Sequence, residues 1–98
     1  MITRIVRMEF QAEQVETFLE VFRESMHTIR SFPGVHGLEL HRDATNPCIF
    51  YTYSLWEDQA ALDNYRHSDF FRALWPRTKA LFADKPQAFS LLKQIEVN

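Results

Sequence analysis

Five side chains in this sequence join a flat apolar ring to a single polar tip: Tyr51, Tyr53, Trp56, Tyr65 and Trp75. Residues of this kind can wall a dry pocket and also aim an O–H or N–H at a developing oxyanion. They can equally fill a core, with the tip satisfied by backbone or water, and the sequence leaves both uses open. The four histidines are the groups that ordinarily titrate near neutrality. His67 follows Tyr65 by two residues where two helical segments join. It suits a general base there, although a histidine at such a junction can also bind a free backbone end. His36 alternates with Leu38 and Leu40, which predicts neutral packing on a strand face, with proton transfer as the alternative. His27 falls off the apolar stripe of its helix and His41 stands beside a loop, so both are expected in solvent.

The remaining chemistry is mostly excluded. No two histidines are four residues apart, and His36 with His41 would need a third ligand from elsewhere, so no metal is expected. Glu57-Asp58 reads as acid at a helix start, where the dipole favours it, and not as a catalytic dyad. Cys48 beside Pro47 has no base close in sequence and is expected as a small packed or loop residue. The two glycines, Gly34 and Gly37, make no phosphate-cradling loop.

Ninety-eight residues allow one domain, 1–98. Eleven Lys and Arg against thirteen Asp and Glu give a net charge of −2, without the basic stripe of a nucleic-acid binder or a polybasic membrane anchor. A single cysteine excludes an internal disulfide. With no signal-peptide pattern and no apolar run near the roughly eighteen residues of a membrane span, a cytoplasmic chain is expected. Nine of the fourteen aromatic residues are Phe, a surplus that a small domain must place somewhere.

Periodicity supplies the elements. Residues 2–10 alternate, with Ile2, Val6, Met8 and Phe10 on one side, which Arg4 interrupts. From Ala12 to Phe32 the period becomes that of a helix, with Val15, Phe18, Leu19, Phe22, Met26 and Ile29 in one stripe. Pro33-Gly34 ends it. Val35–Arg42 and Ile49–Trp56 read as a hairpin, the second strand rich in β-branched and aromatic residues. Asp58 and Ser68 are candidate N-caps for two helical segments. In the second, Phe70, Phe71, Leu74, Trp75, Leu81 and Phe82 form a stripe that Pro76 should bend or split. Ala88–Val97 alternates as a last strand.

The order β-α-β-β-α-β is that of an α+β ferredoxin-like fold, a four-stranded antiparallel sheet with its helices on one face. The strand 49–56 is apolar on both sides, yet a sheet covered on one face should show water a polar second face. A second copy of the same sheet is the simplest cover, and a homodimer is expected.

Phe32-Pro-Gly-Val, the hairpin ending Tyr53-Ser-Leu-Trp-Glu-Asp58, and Ala61-Leu62 followed by Tyr65-Arg-His-Ser-Asp-Phe-Phe71 resemble the antibiotic biosynthesis monooxygenase family over about residues 2–91. The resemblance implies a dimeric α/β barrel with an apolar pocket between sheet and helices in each subunit. It also implies a cofactor-independent monooxygenase acting on a small aromatic or quinone-like substrate. On that reading Trp56, Tyr65 and His67 are the catalytic candidates. Tyr51, Thr52, Tyr53, Trp75 and His36 line the substrate, Thr52 standing where the family's monooxygenase branch has a pocket asparagine. In the haem-degrading branch a Trp and a haem-ligating His lie ten residues apart; here those places hold Tyr65 and Trp75. An indole N–H cannot ligate iron, so haem degradation is disfavoured. Two other readings stay open: a small-carbonyl isomerase using His67 or His36, and a dimer that binds a small apolar molecule without changing it.

Overall fold

Alternation becomes strand where the pattern places it, with one exception at the C-terminus. The computed structural model describes residues 1–98, with β1 at Ile2–Glu9, β2 at Val35–Arg42 and β3 at Ile49–Trp56. The last strand, β4, covers Gln87–Leu91 and not the whole alternating run to Val97. Its partner explains the short length. β4 lies antiparallel to β1 with Thr3 opposite Leu91, so β1 has almost no residues left to pair with anything beyond. Leu92, Ile95 and Val97 are left 73–88% exposed.

The strand order β2-β3-β1-β4, antiparallel throughout, is the ferredoxin-like arrangement. The Ala12–Phe32 periodicity resolves into a three-residue 3-10 turn, Ala12–Gln14, followed by α1, Val15–Arg30. Its buried stripe is Val15, Phe18, Val21, Ser25 and Ile29. The predicted stripe is rotated slightly from this because Leu19, Phe22 and Met26 are only half-buried. Pro33-Gly34 makes the turn into β2. Gly34 sits at φ 85°, and a Cβ there would lie 2.5 Å from that of Ala61.

α2 spans Gln59–Arg66 and α3 spans Asp69–Lys79. The Asp58 carboxylate accepts from the Ala61 N–H at 2.8 Å, and the Ser68 hydroxyl accepts from the Phe71 N–H at 3.1 Å, as the cap residues require. Pro76 does not split α3, which runs through it, and the break between α2 and α3 falls at His67–Ser68, where the second cap is expected. Leu81 and Phe82 lie beyond the helix and do not extend its stripe. Phe82 forms a β-bridge with Phe10, and the Leu81 carbonyl accepts from the Gln11 N–H.

Pairing in register sorts the sheet residues by face. Ile2, Arg4, Val6 and Met8 lie opposite Trp56, Ser54, Thr52 and Phe50 and look toward the helices. Thr3, Ile5, Arg7 and Glu9 lie opposite Leu55, Tyr53, Tyr51 and Ile49 on the other face. Two core clusters form under the helices. Ile2, Ile29, Val35, Trp56, Leu62 and Tyr65 make one; Met8, Phe10, Val15, Phe18 and Phe50 make the other. The aromatic surplus goes largely here. Phe10 and Phe18 stack at 4.0 Å, and Phe10 lies 6.0 Å from Phe50 edge-on.

Candidate active site

Between the two clusters the helix-covered face of the sheet is hollow. A cavity of about 410 Å³ opens there, bounded by all four strands below and by all three helices above. Its wall is mainly apolar: Val6 and Met8 from β1, Phe18, Phe22 and Ile29 from α1, Leu62 and Tyr65 from α2, and Phe71, Leu74 and Trp75 from α3. A volume of this order is usual for small-molecule sites, which pair an apolar wall with a few placed polar groups.

Four of the eight candidate residues meet in this cavity: Thr52, Trp56, Tyr65 and Trp75. Alternation along β3 puts Thr52, Ser54 and Trp56 on the helix side. α2 brings Tyr65 over Trp56 with ring centroids 5.1 Å apart, and Phe71 stacks on Trp75 at 5.7 Å. Trp56 is 1% exposed and its indole N–H donates to the Ser54 hydroxyl at 2.9 Å, so it serves as wall and not as a free donor. Tyr65 differs. Its hydroxyl has no hydrogen-bond partner within the chain, while no fully sealed polar side-chain atom is left unpartnered. The phenol tip is therefore open to the cavity that Tyr65 lines. Burial pushes its pKa above the ordinary phenol value, which keeps the O–H protonated and donating.

The other four candidates lie elsewhere. Tyr51 and Tyr53 are on the opposite face of β3, since their neighbours in register are Arg7 and Ile5. The period of two that makes Thr52 a wall residue removes both from the pocket. His36 is exposed and not packed with Leu38 and Leu40 as its alternation predicts. A bulge between Val35, opposite Trp56, and Gly37, opposite Leu55, leaves His36 as the extra residue and turns it out of the sheet. His67 caps the C-terminus of α2, where its backbone N–H donates to the Asp63 carbonyl at 2.9 Å, and its side chain is exposed. It does not line the cavity.

His27 and His41 are both in solvent, as expected, His41 with a ring nitrogen 2.7 Å from a Glu39 carboxylate oxygen. Cys48 is half-buried in the turn before β3, packed against the Phe10 cluster. Nowhere do three His, Cys, Asp or Glu side chains gather as a metal would need. No helix is long and apolar enough to cross a membrane.

Four polar residues of the wall were not among the candidates: Ser54, Arg4, Arg66 and Thr78, the last with its hydroxyl donating to the Leu74 carbonyl at 3.2 Å. For Arg4 the signal was present, a cation interrupting the apolar side of an alternating strand. Nothing local distinguishes Arg66 from any other arginine in the last turn of a helix.

A four-stranded ferredoxin-like sheet hollowed beneath its helices, with an aromatic wall and a few polar tips, makes this an α+β domain with an apolar-walled cavity under its helices. The model of the antibiotic biosynthesis monooxygenase family matches residues 1–76, and the chain belongs to that family. No curated protein sequence matches it. Among solved structures, one described as an antibiotic biosynthesis monooxygenase superposes with a TM-score of 0.90 at 23% identity, covering 97% of this chain and 100% of the other. A conserved protein from Methanosarcina mazei Go1 gives 0.89 at 19% identity, covering 95% and 93%. Rv0793 from Mycobacterium tuberculosis gives 0.89 at 14%, covering 99% and 98%. At these identities the likeness concerns the fold.

Proposed function

We propose that this chain is a cofactor-independent monooxygenase of small hydroxyaromatic or quinone-like molecules, acting in the cytoplasm as a homodimer. One observation carries the reading: an apolar cavity of about 410 Å³, walled by aromatic rings and reached by the free hydroxyl of Tyr65, in a member of this family. The chemistry asks little of the protein. An acidic C–H or O–H of the substrate ionises, and the resulting carbanion or phenolate passes one electron to O2. The radical pair combines to a peroxide. For a ring methylene, collapse of the peroxide breaks the O–O bond, leaves a carbonyl and releases water, so CH2 and O2 become C=O and H2O.

In this scheme Trp56 and Trp75 hold the ring, while Tyr65 and Thr52 offer donors to the developing oxyanion. The cavity wall contains no histidine and no carboxylate. His67, exposed at the end of α2, would have to act on a substrate outside the cavity, so the proton leaves to solvent at the mouth. That placement also weighs against an isomerase using His67 or His36.

The second sheet face supports the dimer. Tyr53, Phe89 and Leu91 are 38%, 49% and 47% exposed there, beside Ile5 and Leu55. An apolar patch of this kind, on a face that also carries Arg7 and Glu39, fits an interface between two copies.

Oxygen consumption with anthrone and 1,4-naphthohydroquinone as probes tests the activity. Uptake above the buffer rate is expected, falling about a hundredfold in kcat for Tyr65→Phe if that hydroxyl stabilises the oxyanion. Uptake no greater than in buffer, or a Tyr65→Phe protein as fast as wild type, would overturn the assignment. Binding of the probes unchanged and without uptake would leave a binding protein.

A further inference from the structure

The polar lining of the cavity is lopsided in charge. Of its nineteen wall residues two are arginines, Arg4 and Arg66, and none is an acid. Arg4 projects from the middle of the sheet on the helix side and is half-buried; Arg66 ends α2 and stands exposed at the rim. Neither pairs with a carboxylate. Arg4 donates to the neutral Ser90 hydroxyl at 2.9 Å, and every ion pair in the molecule involves other residues. The two guanidiniums are near enough to repel. Burial first, and then the charge of Arg66, hold the Arg4 pKa below its ordinary value. An arginine remains charged regardless.

Two like charges facing an apolar cavity without a counter-ion are an unfavourable arrangement. The dipole of α2 accounts for a cation in its last turn, but not for that cation sharing a cavity with a second one. From this geometry we infer that the cavity takes its ligand as an anion: an aromatic body against Trp56, Tyr65 and Trp75, with one anionic oxygen group held by Arg4 and Arg66. The inference rests on the cavity being the substrate site. It also completes the chemistry proposed there. A wall with no base but two cations favours the ionised form of an acidic phenol, or recognises a carboxylate that the substrate already carries.

The test uses 2-naphthoate and its neutral analogue 2-naphthamide, with titration calorimetry for affinity and tryptophan emission to report proximity to Trp56 and Trp75. Wild-type protein is expected to bind the carboxylate at least about tenfold more tightly than the amide, as hydrogen bonds to charged groups imply. The preference should shrink as salt is added. Arg66→Gln and Arg4→Gln should each reduce that preference severalfold, weakening the carboxylate much more than the amide. Arg4 is half-buried, so its variant is checked by thermal melting; if it fails to fold, the exposed Arg66 decides the matter. Equal affinities for the two probes, no binding of either at millimolar concentration, or a preference untouched in Arg66→Gln would overturn the inference. Should the wild type consume oxygen with a neutral hydroquinone but show no charge preference, only the anion inference falls. Charge preference without any oxygen uptake removes the monooxygenase reading and leaves the anion site.

Discussion

The two faces of the sheet are built from the same four strands yet are used in opposite ways. Toward the helices, Thr52, Ser54 and Trp56 alternate along β3 with their polar atoms either satisfied or turned into a hollow. On the reverse side Tyr53 and Leu55 stand with Ile5, Phe89 and Leu91 in an apolar patch that no helix covers. One face is roofed and left unfilled, and the other is filled out and left unroofed. The first suits a small molecule and the second a surface as large as itself. A single period-two pattern can therefore encode two kinds of recognition at once, because each residue step reverses which one it serves.

The contrast can be broken most severely on the bare face. If the proposed dimer forms through this face, replacing Tyr53 and Phe89 together with lysine should abolish it, moving the mass measured by light scattering from about twice 11.7 kDa to 11.7 kDa while ligand binding in the cavity persists. A dimer that survives the pair would show that the face is not the interface. Within the roofed face, the solid and hollow parts should respond differently to truncation. Phe10 is 1% exposed amid Phe18, Phe50 and Phe82, so Phe10→Ala should cost about 3–5 kcal/mol in urea unfolding. Leu74, half-buried on the cavity wall, should cost under about 2 kcal/mol as alanine, since less of it leaves water on folding. Equal losses would mean that the hollow is closed in solution.

The smallest effect concerns Tyr65. Its pKa is raised by burial, so the folded protein holds the phenolic proton more tightly than the unfolded chain. Stability from this group is intact below the unfolded value of about 10 and declines as pH rises beyond it. Tyr65→Phe should make that alkaline decline shallower in melting curves taken between pH 9 and about 11. A decline identical to wild type would place the hydroxyl in water.

Much of this was legible from the residues in order. Helix and strand periods, the Asp58 and Ser68 caps and the Pro33-Gly34 turn depend on neighbours in sequence, and the sequence states them directly. β4 was overestimated because strand length is set by the partner: the alternation to Val97 is real, but β1 begins at Ile2 and offers nothing further to pair. The site was half legible. Trp56, Thr52, Tyr65 and Trp75 fell into place, whereas treating Tyr51 and Tyr53 as companions of Thr52 ignored the alternation that separates them. His36 was misplaced by a bulge, which shifts side-chain facing without leaving a mark in the pattern. Arg66 joins Arg4 only through the packing of α2 over the sheet, a relation between residues sixty-two positions apart that no local reading contains.

The cavity divides the hydrophobic interior into two parts, linked along one side by rings in sequence of contact: Phe10 to Phe82, then Trp75, Phe71, Tyr65 and Trp56, each step between 5.1 and 5.7 Å. Whatever enters the gap touches both halves and acts as a keystone between them. Occupancy would therefore be felt as cooperativity, the two clusters bound more firmly into one body that opens all together, even where no backbone atom moves.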